Sequence, residues 1–187
     1  MTKRFHPRWG NYVFDGDKDM LAFGVLWENQ LIAKAYYHTV QAIEKYLKAL
    51  VLSVSDPAGT IDPTTVKGIR THKLVDLAAE CGSDPFYSDP TTTIILDRLS
   101  RYDQATRYSL VNNPVLAGFS TADLPVIVAL IKKIRMDLPL ALDDYPLGVE
   151  VRGFLDVSQR DESWVHWSHS AVASLLRVIP DLRDFVR

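Results

Sequence analysis

The sequence predicts an all-α protein, an antiparallel up-and-down bundle of five to six helices followed by a C-terminal extension. Between Asn29 and Ser55, Ala33, Tyr36, Val40, Ile43, Leu47, Leu50 and Val54 recur at steps of three and four, the spacing that holds one helical stripe against a core. The other strongly periodic segments also repeat near 3.6 residues, and only 148–157 suggests a short strand. A chain of 187 residues with 47% hydrophobic content can bury a sizeable core, so a single globular unit is expected.

Residues 1–17 carry Pro7, Gly10 and Gly16 among Phe5, Trp9, Tyr12 and Phe14, and are expected to form an irregular arm pinned by its aromatics. Asp17 or Asp19 caps a short helix with Met20, Phe23 and Trp27 inward, which either turns near Asn29 or runs on. The central helix follows. Opposite its apolar stripe stand Lys34, His38, Gln41, Lys45 and Lys48 with no acid among them, while Ala35, Ala42 and Ala49 form a small-residue ridge on one flank. After the turn chemistry of residues 53–63, a third helix spans VKGIRTHKLVDLAAECG, with Ile69, Leu74, Leu77, Ala78 and Cys81 inward and Gly82 as its C-cap. Asp89 and Pro90 open a fourth with Ile95, Leu99 and Tyr102 inward and an Asp103–Arg107 pair four residues apart. NNPVLAGFS breaks it, and Ser120, Thr121 or Asp123 caps a helix to Pro139 that buries Ile127, Leu130, Ile131, Ile134 and Leu138. Residues 139–187 read as an acidic connector and a last helix through Trp164, Trp167, Ala171, Leu175 and Val178, packed on the same domain.

Composition narrows function by exclusion. A formal net charge of -2 gives no global field for nucleic acid or an anionic membrane, so such a partner needs a local patch. The one cysteine, Cys81, rules out an internal disulfide and a multi-cysteine metal site. The basic N-terminus is followed by no apolar signal run, and no apolar stretch reaches the ~20 residues of a membrane span, so a cytoplasmic protein is expected. The acid-free polar stripe of the central helix is either a solvated face or a surface that receives an anion. His166 and His169 share a helix face but lack a nearby third ligand, so neither a metal nor a cofactor is expected. The alanine ridge, together with the aromatic residues of the arm and tail, points to a homodimer.

Three segments in order carry a family likeness. AYYHTVQAIEKYLKAL at 35–50 holds a Gln-Ala-x-Glu-Lys-x-x-Lys core, THKLVDLAAECG at 71–82 a His-x-Leu-x-x-Leu helix, and YDQATRYSL at 102–110 a helix ending in Arg-Tyr. Together they resemble the HEPN domain family over residues 18–138. The resemblance implies an antiparallel bundle, commonly homodimeric, of the kind found as partners of nucleotidyltransferases, as toxin–antitoxin and defence ribonucleases, and as nucleotide-binding modules without catalysis. Carried over residue by residue, it points to Glu44, Lys45, Lys48, His72, Arg107 and Tyr108. Lys45, Lys48, His72, Arg107 and Tyr108 are then the candidate ligand-binding set, with Arg as a planar fork and Lys as a point charge for a phosphate. The plainer alternatives are a surface Glu44–Lys48 pair, a helix-start role for His72, a packing role for Tyr108 and the Asp103 pair for Arg107.

Catalytic members of the family carry an Arg, four to six intervening residues and then a His, typically with a polar residue directly after the Arg. Here Asn112 and Asn113 stand where that His would fall after Arg107, so the proton-transfer group is missing and no catalytic residue is assigned. Arg160 and His166 meet the same spacing outside the similar region, a match that a chain with this many Arg and His produces by chance. The expected function is a non-catalytic dimeric module for a nucleotide, another phosphate-bearing ligand or a nucleotidyltransferase partner. The alternative is a metal-independent endoribonuclease that uses Arg160 and His166 on RNA.

Overall fold

The computed structural model of the protein describes residues 8–82, 84–107 and 124–138. The described residues are helical, with no strand among them: α1 Arg8–Glu28, α2 Ile32–Ser55, a 3-10 turn Pro63–Thr65, α3 Leu74–Glu80, α4 Pro85–Ser88, α5 Pro90–Arg107 and α6 Leu124–Asp137. Over the described residues this agrees with the all-α class. The expected strand at 148–157 and the last helix lie outside the described residues.

Residues 8–17 correct the expectation of an irregular arm, because they open α1. Trp9, Val13, Gly16, Met20 and Phe23 alternate steps of four and three, and all five are buried, so the helical stripe begins well before Asp17. Gly16 is a point of close approach rather than a breaker. A Cβ there would lie 2.6 Å from the Tyr46 ring, so only glycine lets α1 and α2 come this near. Asp17 and Asp19 are accordingly not caps but side chains in mid-helix.

The chain then turns at residues 29–31, with Gln30 at φ 60°, and α2 folds back along α1 in the most extensive helix contact of the described residues. The predicted stripe of α2 is buried from Tyr36 to Leu50, whereas Ala33 and Val54 at its ends are exposed. Burial extends almost all round from Ala42 to Ser53 and takes in Ala49, Glu44 and Lys48. Ala35, Ala42 and Ala49 are fully covered within the single chain, so the ridge is consumed by intramolecular packing. Rings bind three helices in series: Phe23 to Trp27 at 5.6 Å, Trp27 to Tyr36 at 6.0 Å and Tyr36 to Tyr102 of α5 at 6.0 Å. The Tyr102 hydroxyl donates to the Ala33 carbonyl at 2.9 Å, fixing α5 against the start of α2.

The third helix is shorter than expected. Gly68 sits at φ 83° and ends any helix there, so residues 67–70 form a turn, residues 71–73 follow without regular structure, and α3 starts at Leu74. Gly82, at φ 109°, stops it as anticipated. Asp89 accepts from the Thr92 amide at 3.1 Å, and Pro90 opens α5. In α6 the five predicted residues are buried, and so is Arg135, which the pattern did not reveal. Its guanidinium pairs with Asp17 and lies 5.2 Å from the centre of the Tyr46 ring, while the Tyr46 hydroxyl donates to the same Asp17 oxygen at 2.5 Å. Burial first, then the Asp17 charge, pushes the Tyr46 phenol well above its ordinary range, with Arg135 opposing, so the hydroxyl keeps its proton and remains the donor.

Candidate functional site

The polar stripe of α2 has its anion inside the chain. Asp19 of α1 places one carboxylate oxygen 2.8 Å from His38 Nδ1 and the other 2.5 Å from Lys45 Nζ. Lys45 also reaches the Asp15 carbonyl at 3.5 Å. Asp19 stands one residue before buried Met20 and four before buried Phe23, about 100° and about 40° round the helix, so it flanks the buried stripe of α1 where α2 packs, with its side chain 13% exposed.

A second cluster forms around Glu44. One of its carboxylate oxygens receives Lys48 Nζ at 2.8 Å and faces His72 Nδ1 at 2.9 Å. The Glu44 and Lys48 side chains are 8% and 10% exposed, whereas His72 is 61% exposed, so a buried ion pair anchors an outward imidazole. Burial lifts the Tyr12 phenol, and the charges of Glu44 and Asp62 lift it further, which brings the first helix into the same electrostatic neighbourhood. His72 lies not on the third helix but in the segment before it, where a hydroxyl-capped turn orders the chain. The Lys73 amide donates to Thr71 Oγ1 at 3.1 Å, and the Leu74 amide donates to Ser100 Oγ at 3.0 Å.

That segment, Lys67-Gly-Ile-Arg-Thr-His-Lys73, carries four basic residues in seven and no acid. All four are exposed. Lys67 meets Glu80 at 3.5 Å, Arg70 Nε donates to the Thr64 carbonyl at 3.0 Å, and the Lys73 ammonium makes no ion pair among the described residues. Lys73 also begins a groove of about 390 Å³ between the start of α3 and the flank of α5, lined further by Val75, Asp76, Thr93, Asp97, Ser100 and Arg101. This is the small end of ligand-site volumes, suited to a mononucleotide or less. Asp97 takes one guanidinium nitrogen of Arg101 at 2.6 Å, and an Arg fork carries further N–H donors for a second acceptor.

Of the expected ligand residues, the structure brings Lys48 and His72 together on Glu44 and sets Lys45 apart on Asp19. Arg107 closes α5. Its side chain, with Tyr108, Arg160 and His166, lies outside the described residues. Lys73 and Arg101 were missed, although the run of basic residues at 67–73 was open to view as a local charge signal. The described residues hold no group of three or more His, Cys, Asp or Glu that could grip a metal, and none of their helices is long and apolar enough to cross a membrane. No protein-family model matches the chain, and no curated protein or solved structure matches it either.

Proposed function

We propose that the chain is a non-catalytic helical module, HEPN-like and homodimeric, that holds a phosphate-bearing ligand with a nucleotide as the leading candidate, alone or beside a nucleotidyltransferase. The observation that carries this reading is the acid-free basic segment 67–73, which opens through Lys73 onto the groove beside Arg101. Lys and Arg on facing walls suit a phosphate, one as a point charge and one as a fork. The hydroxyl of Thr93 and the carboxylate of Asp76 give the same groove partners for sugar hydroxyls. Lys45 and Lys48 act instead through internal carboxylates, so they support the framework behind the ligand rather than touching it. Trp9 is buried and the Phe14 ring is covered by Lys18 at 4.0 Å, so the homodimer rests on the family resemblance rather than on spare aromatic surface.

Thermal melting in the presence of AMP, ADP or inorganic phosphate tests the binding. At about 100 times its Kd, a ligand should raise Tm by about 5–10 °C in a chain of this size. Lys73→Ala and Arg101→Ala should each reduce that rise, because both positions are exposed and neither holds the core. Absence of any shift with all three ligands would leave a purely structural partner protein.

A further inference from the structure

We infer that His72 is a phosphoryl-acceptor site, its Nε2 taking a phosphoryl group from an acyl phosphate; this rests on the phosphate-binding reading above. A carboxylate can only accept, so the 2.9 Å contact to Glu44 puts the imidazole proton on Nδ1 and the lone pair on Nε2. The side chain is 61% exposed, and Nε2 has no partner among the described residues. Lys48 holds Glu44 from the other side at 2.8 Å, so the carboxylate that fixes the tautomer is itself fixed. A buried acid that orients an outward imidazole is the arrangement of an activated nitrogen nucleophile.

The same geometry would suit a metal ligand, but the described residues supply no group of further ligands. The neighbours decide the electrophile. Lys48 offsets Glu44 and Glu80 offsets Lys67, so against Asp76, which Thr71 meets at 3.5 Å, Arg70 and Lys73 leave the surroundings of His72 net positive, which favours an anionic phosphate over a cation. In the step, Nε2 forms the N–P bond while the P–O bond to the acyl group breaks. The electron pair leaves on the departing carboxylate. The positive charge that develops on the ring is balanced by Glu44 through the Nδ1 hydrogen.

Full-length protein incubated with acetyl phosphate should gain a single phosphoryl adduct in its intact mass, labile in acid, stable in alkali and mapping to His72. His72→Gln should abolish it with the melting temperature unchanged, as its side chain is exposed. Glu44→Gln should slow labelling by about 10²-fold. Because Glu44 is buried, Glu44→Gln with Lys48→Met supplies a version without the buried charges, and a folded double variant labelled at the wild-type rate would overturn the role of Glu44. No adduct on wild-type protein, or an adduct that survives His72→Gln, would overturn the acceptor site. Phosphate binding by the wild-type protein, read from its thermal shift, separates that outcome from failure of the binding reading: wild-type binding without labelling defeats only the acceptor.

Discussion

At the scale of single residues, the charges that matter most are those the helix pattern misassigned, as a cap at Asp17, or did not reveal, as at Arg135. Asp17, Tyr46 and Arg135 come from three helices and meet in the core, with the Asp17 and Arg135 side chains each 3% exposed. Removing one partner strands the other in a medium that solvates it poorly, which costs about 3–5 kcal/mol. Arg135→Met should therefore lower Tm by about 6–20 °C, measured by circular dichroism or calorimetry. An unchanged melting point would mean that the pair contributes nothing. Gly16 belongs to the same knot. A methyl group there would press on a Tyr46 ring that its bond to Asp17 keeps from yielding. Alanine ordinarily gains about 1 kcal/mol over glycine in a helix, and overpacking costs about 1–3 kcal/mol. Gly16→Ala should thus destabilise by up to about 2 kcal/mol in urea titration, and a stabilised variant would show that the ring can move aside. Cys81, pushed up to about 12 by burial first and by Asp137 and Glu80 second, stays a buried protonated thiol.

At the scale of elements, α4 is only four residues long, yet it fastens α6. Lys133 bridges Asp84 at 2.7 Å and Asp137 at 2.5 Å, and the Tyr87 hydroxyl donates to Asp137 at 2.7 Å. The Lys133 hydrogen bond, then the Phe86 amide, holds the Asp84 carboxyl below its ordinary range. Desolvation pulls Lys133 down, but Asp137 and Asp84 outweigh it and raise its pKa. A depressed acid stabilises above its unfolded pKa, near 3.9, and that contribution is lost as pH falls through the lower folded value. A raised lysine stabilises below its unfolded pKa, near 10.4, and that contribution is lost as pH rises through the higher folded value. The Tm difference between wild type and Lys133→Met should therefore be widest near neutrality and shrink toward both extremes; a difference independent of pH would refute the clamp. These elements also indicate what a sequence discloses. Tyr36 to Leu50 and Ile127 to Leu138 were legible because burial on one face leaves a periodic trace within a single helix. Asp19 with Lys45, and Asp17 with Arg135, were not, because each carboxylate meets a cation on another helix and periodicity records nothing between helices. His72 was legible as a residue to watch but was set on the wrong element, since Gly68 breaks the helix before it.

At the scale of the whole molecule, the all-α class and the interior stripe were readable from composition and period, whereas the groove was not, since it exists only where α3 meets α5. What that molecule does with an RNA strand follows from proton bookkeeping. Cleavage through the 2′-hydroxyl needs one group to take a proton, another to return one to the leaving oxygen, and a cation beside the developing phosphorane. In the window after Arg107, Asn112 and Asn113 can neither take nor return a proton. His72 offers a single proton-transfer nitrogen, with its other nitrogen committed to Glu44. The remaining route, Arg160 with His166, lies outside the described residues and would need a second copy to bring two histidines to one phosphate. Purified protein should therefore leave single-stranded RNA intact over hours at neutral pH, while still giving the nucleotide-dependent rise in Tm. RNA cleavage that disappears with His166→Ala would reverse the assignment and make the chain a metal-independent endoribonuclease.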